Sequence, residues 1–429
     1  MNNTLIKIFC FIIFLGSSFL TISQDKKIKF GYHDQSGNIK DINTKEIFKK
    51  IEEEKKLSVI SKEIADTTIS LLDSNYIIDS ITSVSVIQDT ILVSVLLPLY
   101  IERNYKQVKA WEENKQDTNR IHSTSDLALS FLEGIMFAVD SLSDLQIPIK
   151  LQVYNTENNL DTVRKISNIR FVKQSNVVFG PIHPKNFNFF RNKFKSDTNK
   201  IIINPLSIDD KFLKNNQNVY FLQPLLKQKR DSICSFIKKF EESRKISFVT
   251  IKSDEMKSDY NIIKYRLDSF FTEFSFKEFT NLSEIDKTSF TFLKNEGNLV
   301  FVLSENKLFV NKIIKYIRSI DTNVSVYSSE KVINIEEIDI ENLMKLDMRV
   351  PVSNYFDNYS KKNRNLQNKF ENVYYHKMNK NSRLSFFSIL HFCSDQKQYN
   401  FTQLYDGGGF VNTDVQICTY KDYRLIPIK

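Results

Sequence analysis

Glycine is scarce in this chain: nine residues in 429, where average usage would supply about thirty. That excludes collagen-like and Gly-rich low-complexity architectures, and it makes each glycine present informative. Cysteine (four), proline (eight), tryptophan (one) and histidine (five) are equally sparse. His33, His122, His183, His376 and His391 stand singly, no C-x-x-C occurs, and no carboxylate or cysteine sits at ligand spacing from them, so a zinc site has no footing. There is no G-x-S-x-G elbow, and His391 and Cys393 lie two apart in helix-like text, a spacing that aims side chains at different faces. The sequence therefore offers no catalytic residue, no cofactor motif and no sign of an enzyme. Beyond the N-terminus no apolar run approaches the ~18 residues of a membrane span. A block of one sign of charge is missing too. The net charge is +9, yet Lys and Glu alternate, as in "KKIEEEKK" (49–56), and no basic patch with interleaved aromatics marks a nucleic-acid site.

What is present starts with a leader. Lys7 forms a small positive region, "IFCFIIFLGSSFL" (8–20) is an apolar core, and small or polar residues follow. The pattern predicts a signal peptide over 1–23, cleaved near Ser23 to leave Gln24 first, and hence an exported, periplasmic protein. Cys10 lies inside the apolar core instead of at its end, which argues against a lipoprotein. Cys234, Cys393 and Cys418 remain. An odd count leaves at least one thiol unpaired. A Cys393–Cys418 bridge and three buried small hydrophobes are the alternatives.

Residues 24–88 mix charged helix-like text with Ser/Thr/Asp-rich text and read as a partly ordered extension without its own core. From Ile91 the pattern changes. Strand-length apolar runs, "ILVSVLLPLY" (91–100), "IKLQVYN" (149–155), "NVVFG" (176–180), "KIIINP" (200–205), "ISFVTIK" (246–252) and "NLVFVLS" (298–304), alternate with amphipathic text. In "SDLALSFLEGIMFAVDSL" (125–142), Leu127, Phe131, Ile135 and Val139 recur every four residues, with Ser125 placed to cap the start. Helices are also expected over 160–174, 184–197, 229–242 and 306–320. Such alternation predicts an α/β fold of parallel sheets covered by helices on both faces, with ligands beyond the carboxyl ends of the strands. The 35 phenylalanines either build a stacking cleft or replace leucine in that core, and core is the simpler expectation.

The order of "VSVLLPLY", "ALSFLEGIMFAVDSL", "IKLQVYNTE", "NVVFGPIHP", "IIINPLS", "ISFVTI" and "LVFVLS" resembles type 1 periplasmic binding proteins, the family of the leucine/isoleucine/valine receptors. It is most similar to a Bacteroidetes branch of amino-acid ABC transporter substrate-binding or LysM-containing proteins, which also shares the ending "YDGGGFVNTDVQICTYKDYRLIPIK" (405–429). The resemblance covers about residues 90–429. It implies a periplasmic-binding-protein-like domain over 89–429 made of two Rossmann-like lobes joined by hinge strands. Lobe 1 would run over about 89–222 with a return near 350–400, and lobe 2 over about 223–349 with the C-terminal hairpin.

On that resemblance, Gly180 ends the third strand of the first lobe, and Gly180-Pro181 either only turns the chain or touches ligand. Where the amino-acid receptors carry a hydroxyl for the solute carboxylate, this chain has His183 and Pro184. Ser207 occupies the next family contact, or else merely caps a helix. Asp254, Glu255 and Tyr260 align loosely with the residues that hold the amino group, or else form a solvated loop. Gly407-Gly408-Gly409 precedes strand-like text and reads as a hairpin turn, not a phosphate cradle. The expected function is non-catalytic closure of two lobes on a small polar solute such as an amino acid or short peptide, with a membrane transporter as partner. The alternative is an envelope scaffold or regulator of the same fold that contacts proteins or peptidoglycan and binds no solute. Residues 24–88 show no convincing LysM pattern.

Overall fold

The computed structural model describes residues 17–22, 28–33, 39–41, 90–114, 122–241, 245–252, 254–271, 274–286, 298–304, 306–320, 324–334 and 337–428. Most of the leader (1–23) and of the extension (24–88) lies outside the described residues. What is described there is β1 (Ser17–Ile22), β2 (Ile28–His33) and β3 (Ile39–Asp41). The chain continues through β4 (Ile91–Leu97), α1 (Ile101–Asn114), α2 (Ser123–Asp144), β5 (Ile149–Asn155), α3 (Leu160–Ile166), α4 (Arg170–Gln174), β6 (Val177–Phe179), α5 (Pro184–Lys193), β7 (Ile201–Asn204), β8 (Val219–Phe221) and α6 (Leu226–Phe240). Then come β9 (Lys245–Ile251), α7 (Asp254–Leu267), β10 (Phe274–Phe279), β11 (Asn298–Leu303), α8 (Lys307–Arg318), β12 (Val324–Ser328), α9 (Ile340–Lys345) and β13 (Arg349–Ser353). The last elements are α10 (Lys361–Tyr374), α11 (Lys380–Cys393), β14 (Phe401–Gln403), β15 (Phe410–Asn412), β16 (Val415–Lys421) and β17 (Arg424–Pro427). They form two compact units, Met1–Ile203 with Phe370–Lys397, and Asn204–Lys369 with Gln398–Lys429.

In the first unit the strands run in the order β7-β6-β4-β5-β1-β2-β3. β4 through β7 are parallel, with Val95 opposite both Val153 and Phe179, whereas β1 to β3 join antiparallel. β4 is central, and from Val93 on both of its faces are buried, as a strand covered on two sides requires. α2 carries the expected stripe, with Phe131, Ile135 and Val139 buried, but its other side is buried as well because α11 packs there. Phe137 meets Phe370 and Phe386 at ring-centroid distances of 5.3 Å each. Ser125 does not cap α2. The helix starts earlier, His122 is its N-cap, and the buried Ser125 hydroxyl accepts from Asn104 Nδ2 at 2.8 Å. The single helix expected over 160–174 is broken in two. At the break Ser167 Oγ and Asn168 Nδ2 both bond the Arg164 carbonyl, at 2.8 and 3.1 Å, a competition that favours ending a helix over extending it.

The second unit holds the short group β14-β15-β8 and a seven-stranded sheet, β10-β9-β11-β12-β13-β16-β17. The first five strands of that sheet are parallel and the last two antiparallel. Alternate residues feed two cores. Ile246, Phe248, Leu299 and Phe301 meet Ile233 and Ile237 of α6 and Ile263 and Leu267 of α7. Val249, Val300, Val302 and Val326 meet Phe309, Ile313 and Ile317 of α8. Phe248, Phe301 and Tyr327 stack across three strands at 5.0 and 5.1 Å. Phenylalanine therefore does the work of leucine in this core, each buried ring contributing roughly 1.5–3 kcal/mol.

Candidate functional site

Ligands of open parallel sheets lie beyond the strands' carboxyl ends, and in the first unit that rim is polar. After β4, the Leu99 amide donates to Asn155 Oδ1 at 3.0 Å, and the Ile101 amide, first of α1, donates to Glu157 Oε1 at 3.2 Å. Asn155 Nδ2 also bonds Glu157 Oε1. The Glu157 carboxylate thus fills the positive N-terminal end of α1, where a ligand anion would otherwise be favoured. Asn104 ties the same rim together, donating to Leu99 O and Ser125 Oγ and accepting from the His122 amide. The Tyr100 and His122 rings lie 4.9 Å apart. Tyr100, Glu157 and Asn158 have left-handed backbone, φ of 48°, 50° and 51°.

The turn after β6 follows the same rim. Gly180 has φ 90°, and an added Cβ would run into the Leu96 carbonyl oxygen, so only glycine fits. The peptide to Pro181 is cis. His183 occupies the N-cap of α5 and Pro184 its first turn, but the imidazole caps nothing. Its Nε2 is buried without a hydrogen-bond partner, and burial lowers its pKa below the ordinary histidine value, leaving a neutral ring. Asn186, also in the first turn, reaches Asn158 Oδ1 at 3.3 Å.

Ser207, Asp254, Glu255 and Tyr260 fall in the second unit, so the residues singled out from the sequence divide between the two units. Asn204, fully buried at the end of β7, accepts the Leu206 and Ser207 amides on Oδ1 at 3.0 and 2.8 Å, while its Nδ2 has no partner. Ser207 caps no helix. Its half-buried hydroxyl accepts a long bond, 3.4 Å, from the Asp209 amide, and Asp209 caps the following 3-10 turn. Asp254, Glu255 and Tyr260 lie on α7 and not in a loop. Tyr260 packs against Phe248 and Phe276, at 4.8 and 4.4 Å, which makes it part of the core. At the carboxyl ends of β12 and β13, Glu330 accepts from Lys229 at 2.8 Å and from Ser353 at 2.9 Å. Nothing in the sequence marked that trio, whose members are 101 and 23 positions from Glu330. The run "NTENN" (155–159) did carry a signal, a cluster of turn-forming side chains directly after a strand.

The Cys393–Cys418 bridge is not formed. Cys234, Cys393 and Cys418 are buried free thiols. Burial pushes Cys393 and Cys418 up to about 12 and Cys234 up to about 11, so none is an activated nucleophile. Gly407-Gly408-Gly409 does turn a hairpin, between β14 and β15. The turn is also packed, since Gly409 donates to Leu213 O at 2.7 Å and a Cβ there would meet Val219 O. Among the described residues no three His, Cys, Asp or Glu side chains come together to hold a metal ion. Among them, too, no helix is long and apolar enough to cross a membrane.

Two units of helix-covered parallel strands, with polar rims at the strands' carboxyl ends, are those of the type 1 periplasmic binding protein fold. A Rhodospirillum rubrum protein assigned to branched-chain amino acid ABC transport has the same fold, with TM-score 0.56 and 8% identity over 79% of this chain and 100% of that one. An ABC transporter substrate-binding protein from Desulfitobacterium hafniense matches with TM-score 0.50 and 10% identity over 79% and 100%. Full-length LpoA from Haemophilus influenzae matches with TM-score 0.51 and 10% identity over 80% of this chain, which spans 59% of LpoA. No protein-family model and no curated protein matches the sequence.

Proposed function

We propose that the protein is an exported, periplasmic, non-catalytic binding protein that takes up a small polar solute, such as an amino acid or short peptide, for delivery to a membrane transporter. The observation that carries this reading is a buried polar group left without a partner at the carboxyl-end rim of the first unit: His183 Nε2, after β6. A buried donor left unpaired costs about 1–3 kcal/mol. A solute carboxylate or hydroxyl would recover that cost, with the neutral His183 in the place of the receptors' hydroxyl. The reading is supported by the fold shared with the R. rubrum and D. hafniense proteins. On it, Gly180 and Pro181 shape the turn that carries His183.

The test is specific to an orphaned group. His183→Leu should weaken solute binding about tenfold or more while leaving the melting temperature of the ligand-free protein unchanged or slightly raised, because a buried unpaired group is removed. A variant that binds as tightly as the wild type would refute the role of His183.

A second reading keeps the fold and drops the solute, making the protein an envelope scaffold or regulator. LpoA, whose C-domain is described as a regulator of PBP1A, has this fold. The reading is favoured by the internal pairing of two rim carboxylates, Glu157 with the α1 amide and Glu330 with Lys229.

A further inference from the structure

In a parallel sheet the helices end where the strands begin, so the C-terminal turns of α6 and α7 and the first residues of β10 share the end of the second unit opposite the carboxyl-end rim. Three large aromatics are exposed there: Phe240 (46%), Tyr265 (83%) and Phe270 (56%). Lysines accompany them. Lys238 Nζ lies 4.4 Å from the Phe270 ring centre, Lys239 Nζ 4.9 Å from that of Phe240, and Lys264 Nζ 5.7 Å from that of Phe274. Among the described residues none of these three lysines is in an ion pair; Arg266 is the cation there that has one, with Asp231. Asp268, also exposed, is the acid of the adjoining turn among the described residues, and Glu242 and Glu273 stand in the same connections in the sequence. Cations in the last turn of a helix complement its dipole, which accounts for the lysines alone. It does not account for exposed phenylalanines between them.

We propose that this end of the second unit is a docking surface for an anionic lipid bilayer. The three ammonium groups sit over ring faces without an ion pair among the described residues, on flexible stems that let basic side chains snorkel to lipid phosphates while the rings enter the headgroup layer. Charge complementarity selects a negative surface, and exposed Phe240 and Phe270 select one with an apolar layer beneath it, which an acidic protein face does not provide. The surface is remote from the strands' carboxyl ends and leaves them accessible.

The experiment is co-sedimentation of the full exported protein, recovered from the envelope of an expressing bacterium, with vesicles of phosphatidylcholine alone and with added phosphatidylglycerol. The protein should pellet with the anionic vesicles only and release in high salt. Lys238→Gln with Lys239→Gln should weaken binding by about tenfold or more, and Phe240→Ser with Phe270→Ser should weaken it too, all with unchanged melting. The proposal is overturned if folded protein ignores anionic vesicles, or if both double variants bind like the wild type. It is equally overturned if the protein dimerises through this face, shown by a dimer that Phe240→Ser with Phe270→Ser dissolves, which would assign the surface to a second copy.

Discussion

At Gly180 the backbone is left-handed and the Leu96 carbonyl occupies the space a side chain would need. Gly180→Ala should therefore cost roughly 2 kcal/mol or more, read as a lowered urea midpoint with unchanged slope. That role was legible in "SNVVFGPIHP", because a glycine after an apolar run in so glycine-poor a chain demands a conformational reason. Asn204 was not legible, since a buried amide without an acceptor is created by packing and leaves no mark in sequence. The thiols give a second residue-level expectation. With Cys234, Cys393 and Cys418 buried and shifted upward, protein lacking the leader and its Cys10 should show no fast-reacting thiol at pH 8, and denaturation should release three. An unalkylated mass two daltons low, or two fewer alkyl groups taken up on denaturation, would show a disulfide instead.

Among the elements, α2 and α11 pack closely against each other. Gly134 lies directly under the Ser382 carbonyl and the Ser385 hydroxyl, with no room for a Cβ. Gly134→Ala, normally favourable in a helix, should here lower the melting temperature, because the helices must separate. α11 also carries His391, which burial first, and Lys397 second, lowers to about 4. A histidine held below its unfolded value of about 6.5 contributes stability that is present above that pH and is lost as pH falls toward 4. His391→Leu should remove about 1–3 kcal/mol of acid sensitivity over that window. Equal pH profiles for variant and wild type would contradict this. Strands β4 to β7, β9 and β11 were legible as apolar runs because both faces are covered. Helix α10 was not, because only Phe370 and Tyr374 of its 14 residues are buried, and α7 was missed because it opens on polar text that reads equally well as a loop.

For the whole molecule, the order of strands and helices carried the fold class from sequence, while solute and partner depend on a few side chains whose neighbours are distant in the chain. The central claim is that a buried group at the strands' carboxyl ends awaits a small polar solute. The most direct measurement is a thermal-melt series on protein unfolded and refolded to strip any co-purified ligand, scanned against amino acids, short peptides, sugars and muropeptides. At ~100 times its dissociation constant a true solute should add about 2.7 kcal/mol and raise the melting temperature by several degrees, an effect that His183→Leu should largely abolish. A flat response from refolded, intact protein to every class would contradict the claim and leave the scaffold reading in its place.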